Sequence, residues 1–248
     1  METAATPFVS GHSYKMILIM FTIACLAGTF WEELLYFIQH HEWVSRTGTV
    51  IGPFAPIYGV GAIIFTVFLG PHYDTRPLWK IFLYSCIIGG VTEFALSWVA
   101  ETVFHEIIWD YSEFPLNILG RTSIPHMLAW GVGGTALMKL IYPLIVKLFS
   151  HVPNRIGMPL WILLLIFMLV NMFLTYGSLG RQAMRASGKP PATFIGEFFD
   201  KYYPDEWLAE RFPAIGFNNE EKETAKPGIG RKDTETTTSS DAQDDGTK

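Results

Sequence analysis

The stretch "LWKIFLYSCIIGGVTEFALSWVAETV" (Leu78–Val103) decides the fold, because its side chains are almost all apolar. An apolar run of roughly twenty residues is long enough to cross the hydrocarbon core of a bilayer as an α-helix. Four further runs of this kind occur in the chain, at Tyr14–Phe37, Val50–Gly70, Ser123–Phe149 and Met158–Leu179. The composition agrees, with 50% hydrophobic and 17% charged residues among 248 and a mean hydropathy of +0.26. We therefore predict an all-α polytopic membrane helix bundle with about five transmembrane helices.

The run Val50–Gly70 is irregular at its start. Two prolines and four glycines lie between Gly48 and Gly61, and they argue against a regular helix there. We expect an irregular or re-entrant segment, followed by a helix from about Tyr58. Such backbone is stable at membrane depth only where protein or a water-filled cavity satisfies its polar groups.

Four regions follow from the pattern: a polar N-terminal lead (1–13), the transmembrane bundle (14–180), an amphipathic membrane-proximal segment (181–218) and a disordered polar tail (219–248). In the third region Phe194, Phe198 and Tyr202 recur at helical spacing until Pro204. This pattern predicts one or two short helices on the membrane surface or against the bundle. The tail is rich in Glu, Thr, Ser and Asp and has no aromatic residue, which predicts disorder.

Charge after the last run favours a cytoplasmic C-terminus, since Arg181, Arg185 and Lys189 follow it. The loops on the two sides carry equal numbers of basic residues, so the reversed orientation stays an alternative. We expect an integral protein of the cell (cytoplasmic) membrane, with the lipid bilayer as its surroundings. The charge pattern indicates no nucleic-acid partner.

Ionised side chains inside apolar runs need an explanation, since each costs roughly 2.5–3.5 kcal/mol at a helix centre. Glu93, Ser97 and Glu101 are spaced four residues apart and share one broad helix face. In one interpretation Glu93 pairs with Lys139 or Arg121 and locks the bundle. In the other, the carboxylates line a path for a cation, a proton or a substrate.

The connection "IIWDYSEFPLNILGRTS" (Ile107–Ser123) concentrates polar and aromatic residues between two apolar runs. We expect Trp109 and Tyr111 at headgroup depth, and Arg121 at the mouth of the next helix within reach of Glu101 or Asp110. The connection is either a rigid plug or the lid of a carboxylate-lined cavity. Asp110 or Ser112, and Asn117, are expected to cap helix ends or to turn the chain through local hydrogen bonds. The candidate cavity or transport residues are Glu32, Glu93, Ser97, Glu101, Asp110, Tyr111, Asn117, Arg121 and Lys139.

Motifs for catalysis are missing from the sequence. It has no GxSxG or SxxK nucleophile motif and no GxxxxGK[ST] phosphate loop. Cys25 and Cys86 lie inside apolar runs, as packing residues do. We predict no catalytic, metal or cofactor residues and favour a non-enzyme. Any ATP-driven activity would need another polypeptide.

Two ordered motifs carry a resemblance to a known family: "FWEELLYFIQHHEWVSRTGTVIGPFAPIYGVGA", and "TEFALSWVAETVFHEIIWDYSEFPLNILGRTSIPHMLAWGVGG". Together they resemble the type IV ABC-transporter permease family, the CmpB-like multi-pass bacterial membrane proteins, over residues 25–143. Departures from the family pattern are Thr47, Phe94, the stretch Thr122, Ser123 and Ile124 after Arg121, where the family has a more apolar start, and the unusual His126. The structural motif residues that the resemblance implies are Trp31, Arg46, Gly52, Pro53, Pro56, Tyr58, Gly59, Trp109, Ser112 and Gly120.

The resemblance implies a transporter permease component, with a separate ATP-binding subunit or a second copy of the chain as partner. Two other classes stay open. One is a regulatory or structural partner subunit, in which the segment Phe194–Phe217 docks another protein. The other is an intramembrane enzyme acting on a lipid head group, with acid–base chemistry from Glu101, Asp110 and Tyr111.

Overall fold

The computed structural model describes residues 6–104, 107 and 109–213. Within them the chain is predominantly helical, and the predicted all-α membrane bundle is confirmed. The helices are α1 (Tyr14–His40), α2 (Pro56–Leu69), α3 (Leu78–Val99), α4 (Ile124–Ala136), α5 (Tyr142–Ser150), α6 (Asn154–Ala186), α7 (Phe194–Tyr202) and α8 (Asp205–Arg211). A small antiparallel hairpin, β1 (Asn117–Ile118) and β2 (Thr122–Ser123), lies between α3 and α4.

Four helical segments in the described part of the chain are long and apolar enough to cross a membrane. They are Tyr14–His40, Leu78–Thr102, Ile124–Ser150 and Asn154–Ala186. The second apolar run gives only the shorter helix Pro56–His72, because its first residues form an irregular segment. The Ala55 N–H donates to the Cys25 carbonyl at 3.1 Å, so α2 begins beside the middle of α1. The predicted irregular start of the second run is confirmed: the chain turns back into the bundle through residues 48–55, which we call the re-entrant segment. Helix α2 then continues to the end of the bundle where α1 begins, since a Cβ on Gly70 would lie 2.7 Å from His12 Nδ1.

Two π-helical turns interrupt the spanning helices, at Ala100–Phe104 after α3 and at Leu137–Ile141 between α4 and α5. Pro143 explains the second one. Proline has no N–H for the carbonyl four residues earlier, and its ring crowds that carbonyl, so the helix widens locally. The Tyr142 N–H accordingly donates to the carbonyl of Leu137, five residues earlier.

Small residues bring the helices close together. A Cβ added to Gly28 of α1 would lie 2.2 Å from the ring of Tyr58 on α2. One added to Gly89 of α3 would lie 2.3 Å from the Trp130 side chain on α4. Close packing of this kind is a main source of helix association in lipid, where the hydrophobic effect between helices is absent. The fully buried large side chains of the core include Met16, Met20, Ile81, Met138 and Tyr142.

The N-terminal lead packs against the bundle, which its polar composition did not predict. Phe8 and Val9 are buried, and the Phe8 N–H donates to the Val152 carbonyl at 2.8 Å. Lys15 Nζ donates to the Phe8 carbonyl at 2.7 Å and to Asn154 Oδ1 at 2.9 Å. These bonds attach the lead to the turn between α5 and α6.

The re-entrant segment obtains its hydrogen bonds from α6. Asn171 and Thr175 are fully buried on that helix. The Asn171 amide accepts from the Ile51 N–H at 3.0 Å and donates to the Ile51 carbonyl at 2.8 Å. Thr175 Oγ1 accepts from the Val50 N–H at 3.0 Å. Two polar side chains of a spanning helix therefore replace water for non-helical backbone at membrane depth.

Paired arginines attach the C-terminal helices to α6. Arg181 donates to both carboxylate oxygens of Asp200 at 2.8 and 2.9 Å, and Arg185 donates to Asp200 and Asp205. The hydrogen bond from Arg181 holds the pKa of the Asp200 carboxyl below its usual range. Arg181 is itself buried, so the basic residues taken as a cytoplasmic signal also have a structural role.

Helix α8 closes over the re-entrant segment. Leu208 of α8 and Phe212, which directly follows the helix, are buried in one cluster with Val50. Arg211 donates to the carbonyls of Thr49 at 3.1 Å and Gly52 at 2.7 Å. The amphipathic segment thus forms two short helices that pack against the chain's own bundle. Residues 214–218 and the predicted disordered tail 219–248 lie outside the described residues.

We expect Asn171→Leu to lower the melting temperature of the purified protein. The substitution removes the hydrogen-bond partner of the Ile51 N–H and that of the Ile51 carbonyl. Each buried backbone group without a partner costs about 1–3 kcal/mol. Leu169→Ala, on the exposed face of the same helix, is the control and is expected to change the melting temperature little. Equal melting of the wild type and Asn171→Leu would show that the segment does not depend on this amide.

Candidate functional site

The centre of the site is the carboxylate of Glu93 on α3, which is only 7% exposed. It accepts hydrogen bonds from the Tyr111 hydroxyl at 3.0 Å and from Thr122 Oγ1 at 2.7 Å. Tyr111 comes from the connection after α3, and Thr122 lies on β2. The buried carboxylate therefore joins a spanning helix to the hairpin through two hydroxyl groups.

Neither predicted cation is the partner of Glu93 within the described residues. Arg121 forms its ion pair with Glu101. Lys139 Nζ donates to the Arg76 carbonyl at 2.6 Å, in the connection that precedes α3, and so lies towards the opposite end of the bundle. The interpretation in which a fixed positive charge locks Glu93 is wrong, although the predicted Arg121–Glu101 contact is confirmed.

The Arg121–Glu101 pair lies where α3 meets the hairpin. The Arg121 side chain is 18% exposed and that of Glu101 49% exposed. The Arg121 guanidinium lies 5.8 Å from the ring centre of Phe94, and Trp109 Nε1 donates to the Arg121 carbonyl at 2.9 Å. Because Glu101 is half exposed, this ion pair stabilises the site only modestly, by about 0–1 kcal/mol.

Local hydrogen bonds give the connection its shape. The Asp110 carboxylate accepts from the N–H of Ser112 at 2.9 Å and from its hydroxyl. These bonds hold the pKa of Asp110 below its usual range. The Asn117 amide donates to the carbonyls of Ser112 and Phe114, both at 3.0 Å, and accepts from the Gly120 N–H at 3.1 Å. The predicted turn-forming role of these polar side chains is confirmed.

The hairpin carries backbone strain. Leu116 and Leu119 have φ angles of 55° and 53°, in the left-handed region that disfavours side chains with a Cβ. Gly120 has φ 68°, and a Cβ there would lie 2.6 Å from Ser112 Oγ and 2.9 Å from Asp110 Oδ1. Each strained non-glycine residue costs of the order of 1–3 kcal/mol, and such residues cluster at functional sites.

His126 on α4 positions the Tyr111 ring. The two rings stack with centroids 3.9 Å apart, and Phe114 packs edge-on against His126 at 4.9 Å. The Nδ1 atom of His126 lies 2.8 Å from the hydroxyl of Ser123. Burial, and then the neighbouring carboxylate, raise the pKa of the Tyr111 phenol, so it keeps the proton that it donates to Glu93.

Sequence reasoning missed two contributors to this site. Thr122 stands out in the sequence only as a departure from the family pattern, and its buried position on β2 beside Glu93 is not predicted. His126 was noted only as unusual for the family, and its stacking depends on the path of the connection. Tyr111, which is expected at headgroup depth, is partly buried under the same packing.

The other candidates divide into separate groups. Ser97 is buried on α3 between Glu93 and Glu101, on the same face. Glu32 on α1 accepts a hydrogen bond from the Tyr58 hydroxyl on α2, apart from the hairpin. The structure therefore brings together Glu93, Ser97, Glu101, Asp110, Tyr111, Asn117 and Arg121, with Trp109, Ser112 and Gly120 as their support.

Residues of the first family motif, which spans 30–62, form the re-entrant segment and its contacts with α1. Gly52 has φ 74°, and Pro56 is the first residue of α2. Gly59 packs so closely on α1 that a Cβ would lie 2.4 Å from the Phe21 ring. The Arg46 guanidinium lies over the Tyr36 ring at 4.2 Å. The side chains of Trp31 and Pro53 are exposed.

This arrangement defines a class: a polytopic α-helical membrane protein with one re-entrant segment and a buried carboxylate covered by a hairpin. A sequence model of the family described as "Putative ABC-transporter type IV" matches residues 19–176, more than half of the chain. The chain belongs to this family, and the resemblance in the two motifs is confirmed. No curated protein and no solved structure matches the chain.

We expect Tyr111→Phe and Thr122→Val each to lower the melting temperature, because each removes one donor from a buried carboxylate at a cost of about 1–3 kcal/mol. The double variant should lose more than the sum of the two, since Glu93 then has no donor. Tyr176→Phe, at an exposed position on α6, is the matched control. Additive effects in the double variant would contradict a shared role at Glu93.

Proposed function

We propose that this chain is the membrane subunit of a transporter, in which Glu93 binds a proton or a small cation in transit and the hairpin controls access. The observation that carries the proposal is the pairing of a buried carboxylate with two hydroxyl groups. A carboxylate held by a guanidinium or an ammonium is kept permanently ionised. Hydroxyl groups exert no such constraint, because each can donate to the charged form and accept from the protonated form.

The three polar residues of α3 support a path along that helix. Glu93, Ser97 and Glu101 follow one another at one-turn intervals. Exposure rises from the buried Glu93 and Ser97 to the half-exposed Glu101. Intramembrane acids that face a bundle interior commonly mark ion or proton pathways. A cation entering at Glu101 would meet Ser97 before it reached Glu93.

The hairpin is suited to act as the lid. Its polar contacts with α3, among the described residues, are the two hydroxyl bonds to Glu93 and the ion pair between Arg121 and Glu101, beside the contact of Arg121 with the Phe94 ring. Opening the lid would break these polar contacts and the stacking of Tyr111 and Phe114 on His126 of α4, while the packing between α3 and α4 themselves could remain. Strain at Leu116 and Leu119 would favour release of the closed conformation.

The family description supports an ATP-binding partner for the proposed transporter. We place the end of the bundle that carries α7 and α8 in the cytoplasm, where such a partner would dock. Lys201 and Arg211 lie on these helices and add to the basic residues at that end, which supports this orientation. A second copy of the chain is the other candidate partner.

The alternative function, a regulatory or structural subunit, is favoured if the hairpin is a rigid plug that does not open. Its numerous internal hydrogen bonds favour that interpretation. Docking through the C-terminal segment has less support, because Phe199, Leu208 and Phe212 are buried within the chain's own fold. The enzyme alternative has no support in the geometry, since Glu101, Asp110 and Tyr111 each bind a different partner.

In proteoliposomes, the wild type should dissipate an imposed gradient of H⁺, Na⁺ or K⁺, measured with ion-sensitive dyes inside the vesicles. Glu93→Gln should lower this flux at least about tenfold, equivalent to 1.4 kcal/mol, because the amide cannot carry the charge. Glu197→Gln, an exposed acid on α7, is the control. Equal fluxes from Glu93→Gln and the wild type, with equal melting temperatures, would remove Glu93 from the path.

Arg121→Gln distinguishes a lid from a plug in the same vesicles. If the hairpin is a lid, Arg121→Gln should keep the wild-type melting temperature within a few degrees while the ion flux changes. The expected loss of stability is small because Glu101, the partner of Arg121, is half exposed. A lower melting temperature with unchanged flux would favour the plug and hence the structural alternative.

A further inference from the structure

A polar cleft lies between α8 and the segment that leads from α1 into the re-entrant turn. It has a volume of about 270 Å³ and is lined by Ser45, Trp207, Glu210 and Arg211. None of these residues belongs to the Glu93 site. The cleft lies at the end of the bundle where α6 finishes and the C-terminal helices pack.

The groups that line the cleft have unused hydrogen-bonding capacity. Arg211 donates from Nε to the Thr49 carbonyl and from Nη2 to the Gly52 carbonyl. Its Nη1 atom remains available to a ligand. Within the described residues, Glu210 forms no ion pair or hydrogen bond, and it is not within 4 Å of the adjacent guanidinium. The hydroxyl of Ser45 and the indole N–H of Trp207 also have no partner there.

A carboxylate and a guanidinium that share a cleft without pairing suit a ligand that carries both charges. Guanidinium and hydroxyl groups bind phosphate oxygens through charge-assisted hydrogen bonds. A carboxylate binds a primary ammonium group, and the face of a tryptophan ring attracts the same cation. The cleft is smaller than the roughly 300–1,000 Å³ of pockets for drug-sized ligands, so a single headgroup is the appropriate scale.

The position of the cleft favours a lipid. Trp43, two residues before Ser45, is 55% exposed, and Tyr202 near the start of α8 is 56% exposed. Exposed tryptophan and tyrosine residues at helix ends are typical of the headgroup region of a bilayer. A phospholipid in that leaflet would present its headgroup at the depth of the cleft.

We propose that this cleft binds the headgroup of a phospholipid that carries a phosphate and a primary amine, of the phosphatidylethanolamine class. Arg211 and Ser45 bind the phosphate, and Glu210 and Trp207 bind the ammonium group. Because Arg211 also holds the carbonyls of Thr49 and Gly52, the bound lipid braces the re-entrant turn. The site is independent of the proposed transport function.

The test uses the full-length protein in detergent, titrated with short-chain phosphatidylethanolamine, phosphatidylcholine and phosphatidylglycerol. Melting temperature and native mass spectrometry report binding. Phosphatidylethanolamine should raise the melting temperature more than the other two lipids. Glu210→Gln should weaken its binding about tenfold, or 1.4 kcal/mol, and leave phosphatidylglycerol binding unchanged. Glu206→Gln, an exposed acid of α8 outside the cleft, is the matched control and should retain the preference.

Four results would overturn the proposal. Equal binding of the three lipids, or equal behaviour of Glu210→Gln and Glu206→Gln, would show that the amine is not recognised. A preference for phosphatidylglycerol would make the cleft a site for an anion alone. Soluble phosphoethanolamine binding as tightly as the lipid would assign the cleft to a free phosphate ester. Ser45→Ala should weaken all phosphate-bearing ligands alike, which a merely structural Ser45 would not do.

Discussion

Polar groups at membrane depth must find their partners within the protein, because the hydrocarbon core of a bilayer supplies none. Two features of this structure depend on that constraint. The re-entrant segment has non-helical backbone, and Asn171 and Thr175 of α6 satisfy it from within the bundle. The Glu93 carboxylate lies on a spanning helix, and Tyr111 and Thr122 satisfy it from the hairpin. In both cases a distant part of the chain supplies the hydrogen bonds.

The constraint also explains why the C-terminal helices are part of the fold. Helix α8 supplies Arg211 to two carbonyls of the re-entrant turn and covers it with an apolar face. Arg181 and Asp200 hold these helices against the end of α6. The matched family region ends at residue 176, before both helices. The segment beyond the family region therefore completes a structure that the family region begins, and it forms one wall of the polar cleft.

Much of the fold could be predicted from the sequence. The hydrogen-bond and ion-pair partners within the site were predicted correctly for some residues and wrongly for others. Apolar run length indicated the spans, and proline and glycine indicated the irregular start of the second run. The sequence placed Arg121 within reach of either Glu101 or Asp110, and only the structure shows that Glu101 is its partner. Lys139 was wrongly offered as a partner of Glu93. It lies at a π-helical turn nearer the opposite end, where it binds a loop carbonyl.

The sequence by itself determined which segments enter the membrane, since that depends on local composition and length. It also determined where the chain must turn, since proline, glycine and Asx residues act locally through their own backbone. Only the tertiary structure decided which side chains meet Glu93 and which residues brace the re-entrant turn. Those choices depend on helix rotation and on the path of a strained hairpin, and neither is a property of any single segment. The physical reason is that burial and hydrogen bonding between distant segments are fixed by the packing of the whole bundle.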